Sequence, residues 1–420
     1  MERYEAYKDS GVEWIGEVPE HWGVVYPKAL FSLRKDKARS EDVQLTASQK
    51  YGVIPQSLFM ELENQRVVTV ITGEEILKHV ELGDFVISMR SFQGGLEYSE
   101  HSGKISSAYV MVEPNKEMVF PSFFKYVFKS AHYIQALQST SNLVRDGQAM
   151  RFSNFIQVYL PLPGIAEQKA VADYLDEKTA EIDSIVSETE RSIELLREYR
   201  KSVISEAVTK GLDPNAPMKD SGVEWIGELP SGWNCQMLKT VVRNRVEGAN
   251  AASGQYIGLE NIQSWTQKYV KSESVNDDSS GILYDSRCVM FGKLRPYLAK
   301  AYVPSGSGPC SSEFLTLIPG CMNRRYLAYL LTSGPFIDEV NSRTYGVKMP
   351  RAGWDLIGKI KVPCPPDIVQ CAIANYLDVK TAEIDALIAD KERQVELLKE
   401  YRKSLISEAV TGKFKVPGVS

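Results

Sequence analysis

The chain is poor in the residues on which most enzyme chemistry is built. Its 420 residues include four histidines, His21, His79, His101 and His132, all in the first half. The six cysteines, Cys235, Cys288, Cys310, Cys321, Cys364 and Cys371, all fall in the second half. The two residue types never cluster and no closely spaced pair suits zinc, so no metal site is expected. No GxxxxGK[ST] loop offers a seat for nucleotide phosphates, and no Gly-rich strand-to-helix turn followed by a carboxylate suits a dinucleotide. No catalytic residue is assigned, and no cofactor is expected on this chain. Six cysteines are too sparse for a disulfide framework at this length, which points to the cytoplasm. No apolar run approaches the ~18 residues of a membrane span, and Met1-Glu2-Arg3-Tyr4-Glu5 does not open a secretory signal. The formal net charge of −5 argues, at first sight, against nucleic acid as a partner.

What the chain has instead is a repeat. Lys8 to Pro19 reads KDSGVEWIGEVP and Lys219 to Pro230 reads KDSGVEWIGELP, identical at eleven of twelve positions, with Trp22 and Trp233 following. Tyr174 to Thr209 and Tyr376 to Thr411 share 25 of 36 residues. Between these matched ends, the blocks at 23–163 and 234–363 barely resemble each other. The organisation is therefore a motif (1–22), a variable block (23–163), a charged block (164–212), then the same order again at 213–233, 234–363 and 364–413. Two like frames around unlike inserts suggest one scaffold carrying two readers; relaxed drift of surface modules is the plainer alternative.

The charged blocks are predicted helices. No Pro or Gly interrupts Ala166 to Thr209, strong helix formers dominate, and Gly211 and Gly412 stand where helices end. Apolar residues recur at spacings of three and four, as in a coiled-coil seam: Val171, Leu175, Ile182, Ile185, Leu196, Tyr199 and Val203, with Ile373, Leu377, Ile384, Leu387, Leu398, Tyr401 and Leu405 in the second copy. Lys178, Thr189 and Ser192, and their counterparts Lys380, Lys391 and Gln394, interrupt it. At about 44 residues each, the helices would be roughly 65 Å long. One apolar stripe apiece predicts that they pack on each other, antiparallel, within the chain; a homodimeric coiled coil competes. The repeated tryptophans read as pegs packing each module on the helices, or as stacking platforms for bases. Helix one runs directly into the second motif, whereas nothing follows helix two, so the first motif would fill that place if the termini meet.

Charge is divided unevenly. Residues 20–160 hold 15 basic and 15 acidic residues, and residues 231–362 hold 16 and 10. The helices at 166–211 and 367–413 are net −4 and −2. A basic insert on an acidic frame fits phosphate contact by the inserts and protein contact by the helices. Within the blocks, basic, amide and aromatic residues gather with glycine. In the first block these are Arg90, Ser91, Phe92, Gln93 and Gly94, then Arg145 and Gln148. In the second they are Lys293, Arg295 and Tyr297, then Arg343, Tyr345, Lys348 and Arg351. Arg and Lys can pair with guanine edges and Gln with adenine, while glycine lets backbone amides approach phosphates. Solvated loops and internal ion pairs are the competing reading. The apolar runs Asp84–Ser88 and Arg287–Phe291 read as strands leading into these stretches, and Ser122–Ala136 and Arg324–Thr332 as amphipathic helices, so each block is a mixed α/β (α+β) module.

The whole pattern resembles the specificity subunit of type I restriction–modification systems. The likeness is carried by Thr179-Ala180-Glu181-Ile182-Asp183 and Thr381-Ala382-Glu383-Ile384-Asp385, by the Glu-Tyr-Arg-Lys-Ser tracts at 198–202 and 400–404, and by Gly292–Tyr297 and Tyr256–Ile262. One departure is that Pro163–Gln168 keeps the family's Glu, at Glu167, while Pro365–Gln370 has Val369 there. The resemblance implies a non-catalytic reader of double-stranded DNA with two target-recognition domains joined by two long antiparallel helices. Each domain would read half of a split target and the helices would fix the spacer. It further implies docking of two methyltransferase subunits, which bring S-adenosylmethionine, and of motor–nuclease subunits, which bring ATP and Mg. A coiled-coil adaptor with two protein-binding modules and no DNA role is the alternative.

Overall fold

The computed structural model describes residues 2–64, 76–88, 91–140, 150–248, 254–271, 281–344, 346 and 349–419. It divides into two compact units, Met1–Thr189 with Gln394–Ser420, and Glu190–Arg393, so the boundary crosses both long helices.

In the first unit, β1 (Phe31–Leu33), β2 (Phe85–Ile87), β3 (Glu97–Tyr98) and β4 (Val110–Pro114) form an antiparallel sheet in the order β1-β4-β2-β3. β2 is buried throughout, as its unbroken Phe-Val-Ile run requires of a central strand. One face is covered by α1 (Pro121–Val127) and α2 (Ala131–Ser139), with Phe31, Phe85, Phe124, Phe128 and Phe155 packed edge to face. The helix expected over Ser122–Ala136 is thus two helices. The break falls at Ser130, whose hydroxyl donates to the Val127 carbonyl. The long α3 (Ile165–Lys210) follows.

The second unit repeats this plan with different residues. β5 (Val242–Arg245), β6 (Val289–Gly292), β7 (Ala301–Tyr302) and β8 (Phe314–Pro319) take the order β5-β8-β6-β7. α4 (Arg324–Leu331) and α5 (Gly334–Ser342) cover the sheet, and α6 (Asp367–Val410) is the second long helix. In both units the strand before the long helix pairs with the strand after the repeated motif, Leu160–Leu162 with Gly23–Val25 and Lys361–Cys364 with Asn234–Met237.

The helix seam differs in part from the expected one. Leu175, Ile182, Leu377 and Ile384 are buried, and Leu196 and Leu398 are half-buried. Ile185, Tyr199, Leu387 and Tyr401 are instead exposed, Ile185 at 44% and Tyr199 at 51%. The inward positions are 175, 179, 182, 186, 189, 193, 196 and 200, and in the second copy 377, 381, 384, 388, 391, 395, 398 and 402. Spacings of four and three alternate without a break. Of the expected interruptions, Lys178, Ser192, Lys380 and Gln394 fall off this line, while Thr189 sits on it, as Thr179 does, by turning its hydroxyl back to a helix carbonyl, Ile185 or Leu175. Arg200 sits inward because Asp385 accepts its guanidinium. In each unit the two helix segments run antiparallel: Tyr174 packs on Phe414 and Asp183 pairs with Arg402 in the first, while Arg197 pairs with Glu392 and Arg200 with Asp385 in the second.

The first motif lies at the end of α6, as the second lies at the end of α3. Lys413 Nζ donates to the carbonyls of Ile15 and Glu17 at 3.0 and 2.6 Å, and the Lys415 amide donates to the Glu2 carbonyl. Gly211 and Gly412 both have positive φ, and a Cβ on either would lie 3.1 Å from a tryptophan ring, Trp233 or Trp22. The tryptophans are packing pegs. Trp22 is wholly buried and the Trp14 indole donates to the Tyr159 carbonyl.

Candidate nucleic-acid interface

Each module is fixed to its long helix by the same three side chains. Gln168, at the start of α3, accepts from the Phe120 amide at 2.8 Å and donates to the carbonyls of Met118 and Pro163. Gln370 does the same with the Asn323 amide and the carbonyls of Cys321 and Pro365. Two turns on, Tyr126 donates to Asp176 at 2.5 Å and meets Thr179 at 3.2 Å, while Tyr329 donates to Asp378 at 2.8 Å and meets Thr381 at 3.2 Å. Burial and the neighbouring carboxylate hold both phenols protonated, well above their ordinary range. These sockets escaped sequence reading, although Thr179 and Thr381 lie inside the repeated tracts that carry the family likeness.

The departure at Val369 has a local cause. Glu167 accepts from Tyr4 at 2.6 Å and meets His21 Nε2 at 3.0 Å. At the repeat offset the second motif has Asn215 and Gly232 in place of those partners, so a carboxylate there would have nothing to receive.

The second module gathers several of the expected contact residues. Lys293, Arg295 and Tyr297 leave the end of β6, and Arg351 bridges back to Leu294. The Arg295 amide donates to the Pro350 carbonyl and the Ala352 amide to the Lys293 carbonyl, so two crossing segments are stitched together. Arg295 is left-handed at φ +50°, and among the described residues its buried Nε has no partner. That conformation costs an ordinary residue about 1–3 kcal/mol. Tyr297 is exposed, and Arg351 is half engaged by Glu313 at 2.7 Å. Arg343 follows the end of α5 and is bonded to Glu339 of that helix. Tyr345 and Lys348 lie outside the described residues.

The first module places its expected residues less uniformly. Gln93 is exposed on the short helix Ser91–Gly94. Ser91 is wholly buried, its hydroxyl accepting the Ser88 amide at 2.8 Å, so it shapes the turn and is not presented at the surface. The Gly94 carbonyl receives Lys129, which also pairs with buried Glu97. The neighbouring Gly95 has no room for a side chain, since a Cβ would fall 1.8 Å from the Phe128 carbonyl oxygen. Arg90, Arg145 and Gln148 lie outside the described residues. Several other cations are engaged internally. Burial lowers Lys78 and Lys300, whose ammonium groups donate to the carbonyls of Tyr109 and Leu259.

Among the described residues no group of three or more His, Cys, Asp or Glu side chains is arranged to hold a metal ion. No helix among them is long and apolar enough to cross a membrane.

A repeated frame, two modules of one topology and a buried socket for each define a two-module mixed α/β fold, and known proteins share it. No family model matches the chain. It is 23% identical over 96% of its length to 95% of the type I restriction enzyme MjaVIII specificity subunit of Methanocaldococcus jannaschii. A solved chain described under complex assembly and conformational transition of the type I R-M system superposes with a TM-score of 0.69 at 13% identity, covering 94% of this chain and 98% of that one. The HsdS subunit from Thermoanaerobacter tengcongensis gives 0.54 at 14% identity, with the same coverages. Along nearly its whole length the chain is similar to type I restriction enzyme specificity subunits, and its fold matches that of solved HsdS structures.

Proposed function

We propose that this chain is the specificity subunit of a type I restriction–modification enzyme. Each module reads one half of a bipartite target in double-stranded DNA, and the antiparallel pair of long helices sets the unread spacer. The observation that carries this reading is the pair of matched sockets. Two modules without sequence likeness plug into the same Gln, Asp and Thr on a repeated helix, an arrangement suited to holding interchangeable readers on a constant frame. The strained Arg295 with its free donor, beside Lys293, Tyr297 and Arg351, is the most developed contact surface, and the excess of basic residues in the second block agrees with phosphate as its partner.

The chain itself is non-catalytic in this reading and works in the cytoplasm. Methyltransferase subunits bring S-adenosylmethionine, and motor–nuclease subunits bring ATP and Mg. The residues that left the expected seam, with one exposed leucine beside each pair, supply docking surfaces for the former. Ile185 and Tyr401 are exposed with Leu397 in the first unit, and Tyr199 and Leu387 with Leu195 in the second. A stripe duplicated with the helices fits two copies of one partner.

Methylome sequencing of cells with and without this gene, in the presence of its methyltransferase partner, tests the proposal. A split methylated motif that vanishes with the gene is expected. Exchanging residues 234–363 for another module should change one half of that motif only. An unchanged methylome, with the chain still bound to protein partners, would favour the adaptor reading.

A further inference from the structure

The twofold repeat breaks at one buried arginine. Arg200 and Arg402 occupy equivalent inward positions, and each faces an equivalent aspartate across the helix pair, Asp385 or Asp183. In the first unit Arg402 and Asp183 are half-open to solvent, and among the described residues no hydrogen bond from the module reaches Arg402. In the second unit Arg200 is nearly sealed, because a hairpin of the module closes over it. Its Nε donates to Asp385 at 2.7 Å, and its Nη1 donates to the Trp265 main-chain carbonyl at 2.6 Å.

The hairpin is built to reach the helices at some cost. Ile262 and Tyr269 pair across its base, and the Gln263 amide donates to the Lys268 carbonyl. Trp265 and Gln267 are both left-handed, at φ +67° and +60°, a conformation that strains an ordinary residue. Three contacts tie the turn to its surroundings. Lys201 of α3 lies 4.6 Å from the centre of the Trp265 ring, Lys268 pairs with Asp385 at 2.8 Å, and Gln267 donates to Thr332 at the junction of α4 and α5. Beside these contacts lies a cavity of about 540 Å³ lined by Glu194, Arg197, Ile388 and Glu392. The hairpin therefore bears on the helices through a few polar contacts beside open space.

We infer that the 263–268 hairpin is a latch, and that Trp265 and Arg200 are positioning residues that fix the second module on the helix pair and so hold the spacing between the two half-sites. A buried guanidinium shared between a carboxylate on one element and a carbonyl on another is directional, and it transmits position better than an apolar contact can. The inference rests on the proposed function for its consequence, but not for the latch itself.

Two measurements test it with the full chain. In hydrogen exchange, Trp265→Ala and Arg200→Lys should raise exchange of amides in 263–268 and 197–204 about tenfold. The matched segment 399–406 and the core strands β6 and β8 should stay at wild-type levels. Unchanged exchange in both variants would overturn the latch, and so would an equal rise in β6 and β8, which would make Trp265 an ordinary core residue. Should Trp265→Ala fail to fold, Arg200→Lys, which keeps the charge and loses the fork, decides alone. In the assembled methyltransferase, Arg200→Lys should raise methylation of DNA with a spacer one base pair too long or too short about tenfold relative to the proper spacer, the effect of losing one charge-assisted bond, and Trp265→Ala, which keeps the carbonyl but loses the ring beside Lys201, should raise it less. Base preference within each half-site should not change, and Trp265→Phe should restore the strict spacer. Equal losses on all spacers would overturn the positioning role. If the wild-type assembly methylates no split target, the proposed function falls, while the exchange result still decides the latch.

Discussion

The two modules reach one topology with opposite electrostatic habits. The first buries its charges. Arg34 donates twice to Asp84, at 2.6 and 3.0 Å, both side chains are nearly sealed, and Lys129 reaches the buried Glu97 at 2.6 Å. In the second, Arg245 leaves the matching edge strand and pairs with Asp285 at 2.8 Å, but both remain partly in water with Arg287 and Glu247 alongside. The sheet order and helix cover survive this change because they depend on where apolar runs fall, while ion pairs at strand ends are free to vary. What stays constant is the socket on each long helix.

The largest expected effect tests that contrast directly. Arg34→Met leaves Asp84 buried without its cation and should cost about 3–5 kcal/mol, against about 1 kcal/mol or less for Arg245→Met, by urea denaturation. Equal losses would mean that the modules do not differ in this way. Next in size are the helices. Ile182→Ala should cost about 2–4 kcal/mol, whereas Ile185→Ala should change stability by less than about 0.5 kcal/mol and weaken capture of the methyltransferase partner instead. A large stability loss at Ile185 would restore the seam first expected.

The sockets should respond alike. Tyr126→Phe and Tyr329→Phe each remove the phenol's bond to a partly exposed aspartate and should cost about 1 kcal/mol. Unequal losses would show that one module relies on other anchors. The smallest effect is in pH. Burial alone would lower His79, but its bonds to Asp42 and Glu81 outweigh that and raise it. Its contribution is complete below the ordinary histidine range and is lost as pH rises through the elevated value. Asp285 is held down at about 2 by hydrogen bonds from Arg287, so its contribution is complete above the ordinary carboxylate range and fades as pH falls toward about 2. Alkaline conditions should therefore weaken the first module, and strong acid the second, each by on the order of 1 kcal/mol. Following Trp22 and Trp233 fluorescence separately, with the other tryptophans replaced, would show whether the two modules respond in opposite directions.

Much of the frame was legible in the sequence, because a 25-in-36 identity and an unbroken helix-forming stretch leave few alternatives. The seam was half legible. Counting only apolar residues selected Ile185 and Tyr199, whereas Thr189 and Arg200 occupy the inward line because each brings its own hydrogen-bond solution. The common topology of the modules was hidden because strands of two to six residues carry too little periodicity to align. Among the expected contact residues, Lys293, Arg295, Tyr297 and Arg351 do come together, since a strand end and a returning segment cross there. The burial of Ser91 follows from a local hydroxyl-to-amide bond that composition does not reveal.

The seating of the first motif on the end of α6 also orders events in time. Residues 190–393, which make up the second unit, are all available once Arg393 has left the ribosome. The first unit, though it starts earlier, lacks its closing pieces until Gly412 and Lys413 emerge to receive Trp22 and the carbonyls of Ile15 and Glu17. On a ribosome adding roughly 5–20 residues per second, the module encoded second can be complete while the one encoded first still waits with an open seat.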